Sequence, residues 1–463
     1  MRVKKIYTGK NVFPLVLAAV LALKGPTSSE PPYVVPVAPN ALTISLLTAG
    51  DSVNARPDGT PYRMTGFPDG LGAYDNGDGT FTVLMNHEAP AGVGAVHAHG
   101  APGAFVSKWT IRKNDLSVVH GEDLIQNIAL WNRVTNAYAA PAKGIGLSNL
   151  CSATFVPAQS MFLSGEEAPE GRVFAHLLDG TSYELARLGR AQWENAAMHP
   201  SASKTIVIGL DDRFGGHVYA YIGEKQSSGS LVERAGLTNG TLFVIEIAGF
   251  LSENPASGIP SGSAFRLLGL GNVSNVSGAT LRAFSASVGA TRWQRPEDGA
   301  WDPSHPRDFY FVTTATLAGR SRLWRLRFDD LDDPRAGGTL DMLLDGIEGP
   351  KMMDNIAVRS SGDVVIQEDP DTPELAKIWR YDPSTDRVEV IAEHDFALFG
   401  AGAPGAISNN EESSGIIDVS GILGEGWMLF DVQAHAPAAG EVLNRGQLLA
   451  MRFPVTRRRS ARH

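Results

Sequence analysis

Asp354-Asn355-Ile356-Ala357-Val358 opens on an acid, places a small residue three positions on and an apolar one after it, and leads into a β-rich run. Near-copies stand at Asp69-Gly-Leu-Gly-Ala73, Glu194-Asn-Ala-Ala-Met198, Glu297-Asp-Gly-Ala-Trp301 and Glu412-Ser-Ser-Gly-Ile416. A further copy, Cys151-Ser-Ala-Thr-Phe155, begins with the only cysteine of the chain. Each copy is followed by short alternating strands, and several of these end in a second acidic cluster. A β-unit repeated in this way predicts a propeller, because no single unit can bury its own apolar faces. The expected fold is therefore all-β, a six-bladed β-propeller with long loop insertions. Equivalent positions on the innermost strands would converge on its axis.

Composition agrees with many short strands joined by turns. The 463 residues include 50 glycines and 28 prolines, and only 19% are charged. The net charge of −10 repels nucleic acid, so no DNA or RNA partner is expected. One cysteine permits no intramolecular disulfide.

Met1-Arg-Val-Lys-Lys5 followed by the apolar run Val12–Leu23 has the form of a basic segment and a signal-peptide core. Residues 1–25 are expected to be a signal peptide or leader, with export to the periplasm, the cell surface or the medium. Residues 26–455 form a single propeller domain, preceded over 25–45 by a Pro/Ser/Val-rich lead-in, and 456–463 are a basic tail. No later segment is apolar enough to span a membrane, and a monomer is expected. Long insertions fall at 89–102, 123–146 and 223–290. The last, with its Gly/Ser/Asn-rich stretch Ser257–Ser277, reads as a surface excursion. No segment shows sustained helical periodicity.

Asp69, Cys151, Glu194, Glu297, Asp354 and Glu412 would meet near the axis. Glu88, Glu166, Glu167, Asp211, Asp212, Glu368 and Asp369 end the following strands. So many acids cannot share a small space while ionised unless cations neutralise them. Carboxylates suit calcium, and carboxylates with a thiolate suit a transition metal such as iron. Taken singly, each acid is an ordinary solvated turn residue; the shared register argues against that for the set. Arg295, in Arg295-Pro296-Glu297, sets a guanidinium beside such a ligand, where it could hold a phosphate oxyanion; an ion pair with a neighbouring Glu is the competing role. Lys143 is a second candidate phosphate contact. His97-Ala-His99 lacks a third zinc ligand, and Asp75–Asp78 reads as a hairpin turn. There is no nucleophile elbow, Walker loop or dinucleotide fingerprint.

The chain resembles the PhoX-type alkaline phosphatases, a group of exported bacterial propellers. The resemblance rests on Asn86-His87-Glu88, Asn149-Leu-Cys151 with Gly165-Glu166-Glu167, Trp193-Glu194-Asn-Ala-Ala197, Arg295-Pro296-Glu297, Met353-Asp354-Asn-Ile-Ala357 with Gln367-Glu368-Asp369, and Glu411-Glu412-Ser-Ser-Gly415. It implies hydrolysis of small phosphate monoesters at a calcium and iron cluster. By resemblance, Cys151, Glu194 and Glu297 sit on iron. Glu88, Glu166, Glu167, Asp354 and Glu412 serve calcium or bridge, with Asp69 and Glu368 as further metal candidates. Arg295 holds the phosphate, and Arg295 and Glu297 are the catalytic pair. The chain departs from the family in Ser152-Ala-Thr-Phe-Val-Pro157, at Trp193 where a histidine is usual, and in lacking a twin arginine, as expected of a divergent branch. Two rival readings use the same carboxylates: a calcium-dependent hydrolase of another ester or a lactone, and a non-catalytic, calcium-stabilised binding propeller.

Overall fold

Six inner strands run side by side round one axis: Pro68–Asp75, Leu150–Val156, Trp193–Met198, Pro296–Trp301, Met353–Val358 and Glu412–Asp418. Each packs on the next, and the last packs on the first. The computed structural model, which describes residues 21–370 and 374–454, is thus a six-bladed propeller. Every blade is an antiparallel meander leading outward from its inner strand. The first comprises Pro68–Asp75, Thr80–His87, Phe105–Arg112 and Val118–Asp123.

Strand period explains the packing. Successive side chains of a strand face opposite ways, so each blade feeds two inter-blade gaps. Phe81, Val83 and Met85 face the sixth blade, while Leu84 faces the second. Val207 and its neighbours Ile206 and Ile208 divide in the same way between the gaps on either side of the third blade. Each of the six gaps holds one apolar cluster. Full burial of each large apolar side chain contributes about 1.5–3 kcal/mol.

The lead-in expected over 25–45 is instead what closes the ring. Leu42–Thr48 pairs with Asn444–Arg452 as the fourth strand of the sixth blade. Val34–Pro36 pairs with Arg387–His394 as the fifth strand of the fifth blade. Joining sequence-distant segments in one sheet covers strand edges that would otherwise lie open. Leu21–Lys24 adds an exposed parallel strand outside Leu42–Thr48. Most of the 1–25 leader reading, and the basic tail 456–463, lie outside the described residues.

The 223–290 insertion is not the surface excursion expected. Ser263–Gly271 is the fifth strand of the third blade, and it also pairs with Gly338–Leu344 of the fourth. The two blades therefore share a nine-stranded sheet. The insertion also contains a ten-residue helix, Gly278–Ser287, whose N-cap Ser277 Oγ accepts from Thr280 N at 3.2 Å. Its periodicity is faint in the sequence because only Gly278, Leu281 and Ser285 are buried. Among the described residues no helix is long and apolar enough to cross a membrane.

Candidate metal centre

The same irregularity occurs at the start of every inner strand. Pro68 pairs with His87 and Leu71 with Met85, three residues advancing against two. This bulge recurs at Leu150/Ala153, Trp193/Ala196, Pro296/Gly299, Met353/Ile356 and Ser413/Ile416. A bulge leaves its extra residues unpaired and bends the strand, which is how side chains are re-aimed near functional sites. The first bulged residue is Asp69, Cys151, Glu194, Glu297 or Asp354 in five blades. In the sixth it is Ser414. Glu412, expected in register with the other acids, lies two residues earlier and accepts from Ser414 Oγ at 2.6 Å.

A second ring follows from the same register. The residue after each bulge partner is Glu88, Glu167, Asp212, Thr314, Asp369 or Gln433. Its N–H donates to the residue just before the inner strand in five blades: Glu88 to Phe67 (2.8 Å), Glu167 to Asn149 (2.8 Å), Asp212 to Gln192 (2.8 Å), Thr314 to Arg295 (3.0 Å) and Asp369 to Met352 (3.1 Å). Four of these acceptors, all but Gln192, have left-handed backbone, with φ between 43° and 63°. Such strain, about 1–3 kcal/mol per residue, persists where the surroundings over-determine the conformation.

Strand parity separates adjacent acids. Glu166 and Glu368, expected as metal ligands, each precede a second-ring residue and are engaged elsewhere. Glu166 accepts from Ser148 N at 3.1 Å and from Arg172 Nε and Nη2 at 2.6 Å each. Glu368 accepts from Lys351 N at 2.7 Å and Lys377 N at 3.0 Å. Asp211 likewise takes Gln192 N at 3.0 Å. These three acids hold the segments that lead into the inner strands. Lys143 donates to Ala98 O at 2.9 Å and is exposed, apart from the acids.

The remaining groups gather into four linked triads: Asp69–Glu88–Cys151, Cys151–Glu167–Glu194, Glu194–Glu297–Asp354 and Asp354–Asp369–Glu412. Within each, candidate ligand atoms lie within 4.8 Å of one another. Consecutive triads share Cys151, Glu194 and Asp354, so the donors form one arc round the axis. Asn86 steadies it, its Nδ2 donating to Cys151 O at 2.6 Å and its Oδ1 accepting from Ser164 Oγ at 2.9 Å.

Burial, then neighbouring acids, pushes Asp69, Glu167, Glu194, Glu297 and Asp354 well above the carboxylate range. The same causes raise the Cys151 thiol. Glu194 Oε1 is buried and has no hydrogen-bond partner. A dense set of buried oxygens and one sulfur, costly to ionise alone, fits hard cations together with a thiophilic metal. Arg295 donates Nε and Nη2 to Asp212 at 3.0 and 2.8 Å, and Nη2 lies 2.6 Å from Glu297 Oε1. Its side chain keeps 25% exposure. Chiefly through Glu297, its proton is held more firmly than usual.

Three participants escaped the sequence reading because blade six carries no acid in the second ring. Gln433 Nε2 donates to Glu88 at 3.0 Å and Asp69 at 3.3 Å. His435 lies 3.1 Å from Glu412; burial would depress its pKa, but the carboxylate outweighs that and lifts it to about 9. Asp431 is fully buried, and neither of its oxygens has a hydrogen-bond partner. Aligning strand ends, not acids alone, would have pointed to Gln433. Trp193 is core: it is fully buried, with its ring against Tyr219 and Gly209. Beyond the acids, an axial cavity of about 400 Å³ opens between residues such as Ala73, Phe155, Met198, Trp301 and Val358. Asn195 and Asp298, joined at 2.5 Å, also line it.

A family profile described as alkaline phosphatase PhoX matches residues 176–421, just over half of the chain. No curated protein matches. Among solved structures, the fold is similar to that of Pseudomonas fluorescens PhoX in complex with vanadate, a transition-state analogue. The TM-score is 0.66 at 14% identity, covering 94% of this chain and 97% of that one. A nidogen/laminin complex chain matches at TM-score 0.38 and 7% identity, over 76% of this chain and 88% of that one. Trypanosoma rangeli sialidase with the inhibitor DANA matches at TM-score 0.38 and 10% identity, over 90% and 60%.

Proposed function

The chain belongs to the PhoX family of alkaline phosphatases, and from that premise we propose that its two rings of side chains hold a calcium and iron cluster at which small phosphate monoesters are hydrolysed. The observation that carries this reading is the arc of four triads with shared ligands. Cys151, Glu194 and Glu297 would hold iron. Glu88, Glu167, Asp354, Asp369 and Glu412 would hold calcium or bridge. Asp69 joins either group through Cys151, whose Sγ lies 3.5 Å from Asp69 Oδ2. Bound ions of this kind supply electrostatic polarisation of a phosphoryl group and neutralise charge developing on it.

The chain's own residues do the rest. Asp212 and Glu297 fix the Arg295 plane through Nε and Nη2. That leaves the Nη1 edge for a phosphate oxygen, in the fork geometry that suits oxyanions. A preset donor loses little order when charge builds on the substrate. His435, 3.1 Å from Glu412, orients that carboxylate from the neighbouring strand. The second ring supports the first by backbone clamps, so the acids stay close despite their repulsion. Export and a monomeric state are proposed with this function, export from the basic-then-apolar N-terminal stretch.

Glu297→Gln tests the reading. It should abolish phosphate-ester turnover and lower the metal content measured by elemental analysis. An unchanged rate with full metal content would remove Glu297 from the centre.

A further inference from the structure

We infer that Glu253, supplied by the long insertion, is a positioning residue for Arg295: it braces the strained backbone from which that side chain reaches the centre. The inference rests on the phosphatase reading above and adds to it a residue that acts through Arg295.

In four blades the segment leading into the inner strand is braced by the residue that precedes the second-ring position. Glu166 accepts from Ser148 N at 3.1 Å in blade two, and Glu368 accepts from Lys351 N at 2.7 Å in blade five. Asp211 accepts from Gln192 N at 3.0 Å in blade three. In blade one, His87 Nδ1 lies 3.0 Å from Gly66 O. Blade four has Thr313 at this place, one residue before Thr314. Its hydroxyl donates to Glu253 Oε1 at 3.2 Å, and Glu253 Oε2 accepts from Gln294 N at 2.9 Å. The brace that the other blades carry on their own second strand thus reaches blade four from the insertion.

Arg295 needs this brace more than its counterparts do. Its backbone is left-handed, with φ of 63°, directly before Pro296, whereas a proline steers the preceding residue to extended conformations. Such a conformation persists only where the surroundings over-determine it. Thr314 N donates to Arg295 O at 3.0 Å and Ala315 N to Gln294 O at 2.9 Å. Glu253 adds the bond at Gln294 N.

The brace is itself fixed. Glu253 N donates to Arg292 O at 2.8 Å, so the insertion runs alongside the lead-in. Arg322 Nη1 donates to Glu253 Oε1 at 2.5 Å, and its Nη2 donates to Pro255 O at 2.7 Å. Both side chains of this pair are fully buried, and the arginine neutralises the carboxylate where it stands. Asp212 and Glu297 orient the Arg295 guanidinium, while Glu253 sets the backbone behind it.

The test is steady-state hydrolysis of p-nitrophenyl phosphate by the metal-loaded full chain, with metal content read by elemental analysis. Removing the acid alone would strand the buried Arg322 charge, so both partners are changed together. Glu253→Ala with Arg322→Met should lower kcat/KM by about tenfold to a hundredfold, the scale of an ångström-sized misplacement, with calcium and iron retained. Glu253→Gln with Arg322→Met keeps an oxygen for Gln294 N and should recover most of that loss. In an Arg295→Ala background the two pairs should no longer differ, because no guanidinium is left to place. Equal losses with and without Arg295, or no difference between the Ala and Gln pairs, would overturn the positioning role while leaving the phosphatase reading intact. Fully loaded wild-type protein that does not turn over the ester would overturn that reading, and this role with it.

Discussion

Ser414 holds the bulge position that an acid or cysteine holds in the other five blades, and its hydroxyl donates to Glu412 Oε1 at 2.6 Å. The sixth blade thus delivers its carboxylate from two residues upstream and fixes it with a side chain at the regular place. His435, 3.1 Å away, secures the same carboxylate from the partner strand. Burial would raise the Glu412 pKa; His435 and then Ser414 outweigh that and keep it low.

Glu412 should accordingly be the ligand and Ser414 its support. Ser414→Ala should weaken calcium binding by about tenfold, the scale of one hydrogen bond to a charged group. Glu412→Gln should remove that binding step altogether. Calorimetric titration of chelated protein with calcium separates the two. Equal effects would mean that Ser414 itself is a ligand.

Adjacent acids should behave oppositely at Glu166 and Glu167. Glu166→Ala breaks a nearly buried pair with Arg172, so it should lower unfolding free energy by about 3 kcal/mol while metal content stays full. Glu167→Ala should lose metal with a smaller effect on the stripped protein. Denaturant melts and elemental analysis on both variants check this. Metal loss in Glu166→Ala alone would reverse the parity assignment.

Arg295→Ala should lower kcat/KM for a phosphate monoester by about 10²–10³, as loss of an oxyanion donor does, with metal content retained. Arg295→Lys should recover little, because an ammonium cannot bond Asp212 and Glu297 while keeping a planar edge for substrate. Steady-state kinetics with elemental analysis decide the point.

The metal-stripped protein should lose stability as pH rises. Burial lifts Asp298 and Asp211 to about 6 and Glu368 to about 7. A folded-state pKa above the ordinary carboxyl value favours the protonated fold. Its contribution is full below about pH 4 and is lost as pH climbs to 6–7, at about 1.4 kcal/mol for each pH unit that separates the folded and unfolded pKa values. Asp69, Glu194, Glu297 and Asp354, raised further, extend the loss upward. Chelated protein should melt at a lower temperature at pH 8 than at pH 5, and added calcium and iron should remove the difference. A flat profile without metal would mean that the acids do not repel one another as the geometry requires.

Much of this site was legible because one bulge repeats in every blade. The residue two places after Asp354 resumes strand pairing, so acid-x-x-small recurs wherever the backbone does the same thing. Glu412 satisfied that pattern from the wrong register, since Ser413-Ser414 offers no charge to mark the shift. Glu166-Glu167 and Glu368-Asp369 were ambiguous for a different reason. Each pair straddles a strand end, and a slip of one residue exchanges the face that looks at the axis. Thr314 and Gln433 are neutral and invisible to a search for carboxylates. Val34–Pro36 and Leu42–Thr48 read as a lead-in because their partners lie hundreds of residues away. Pairing at that range leaves no local trace.

The central claim is that the acids and Cys151 hold metals that make this chain a phosphatase. Its most direct test is p-nitrophenyl phosphate hydrolysis at alkaline pH, measured on purified protein as isolated, after chelation, and after calcium and iron are returned separately and together. Turnover that chelation abolishes and only both metals restore is the predicted result. Absence of turnover in protein that elemental analysis shows to be fully loaded would contradict the account and favour another ester or a binding propeller.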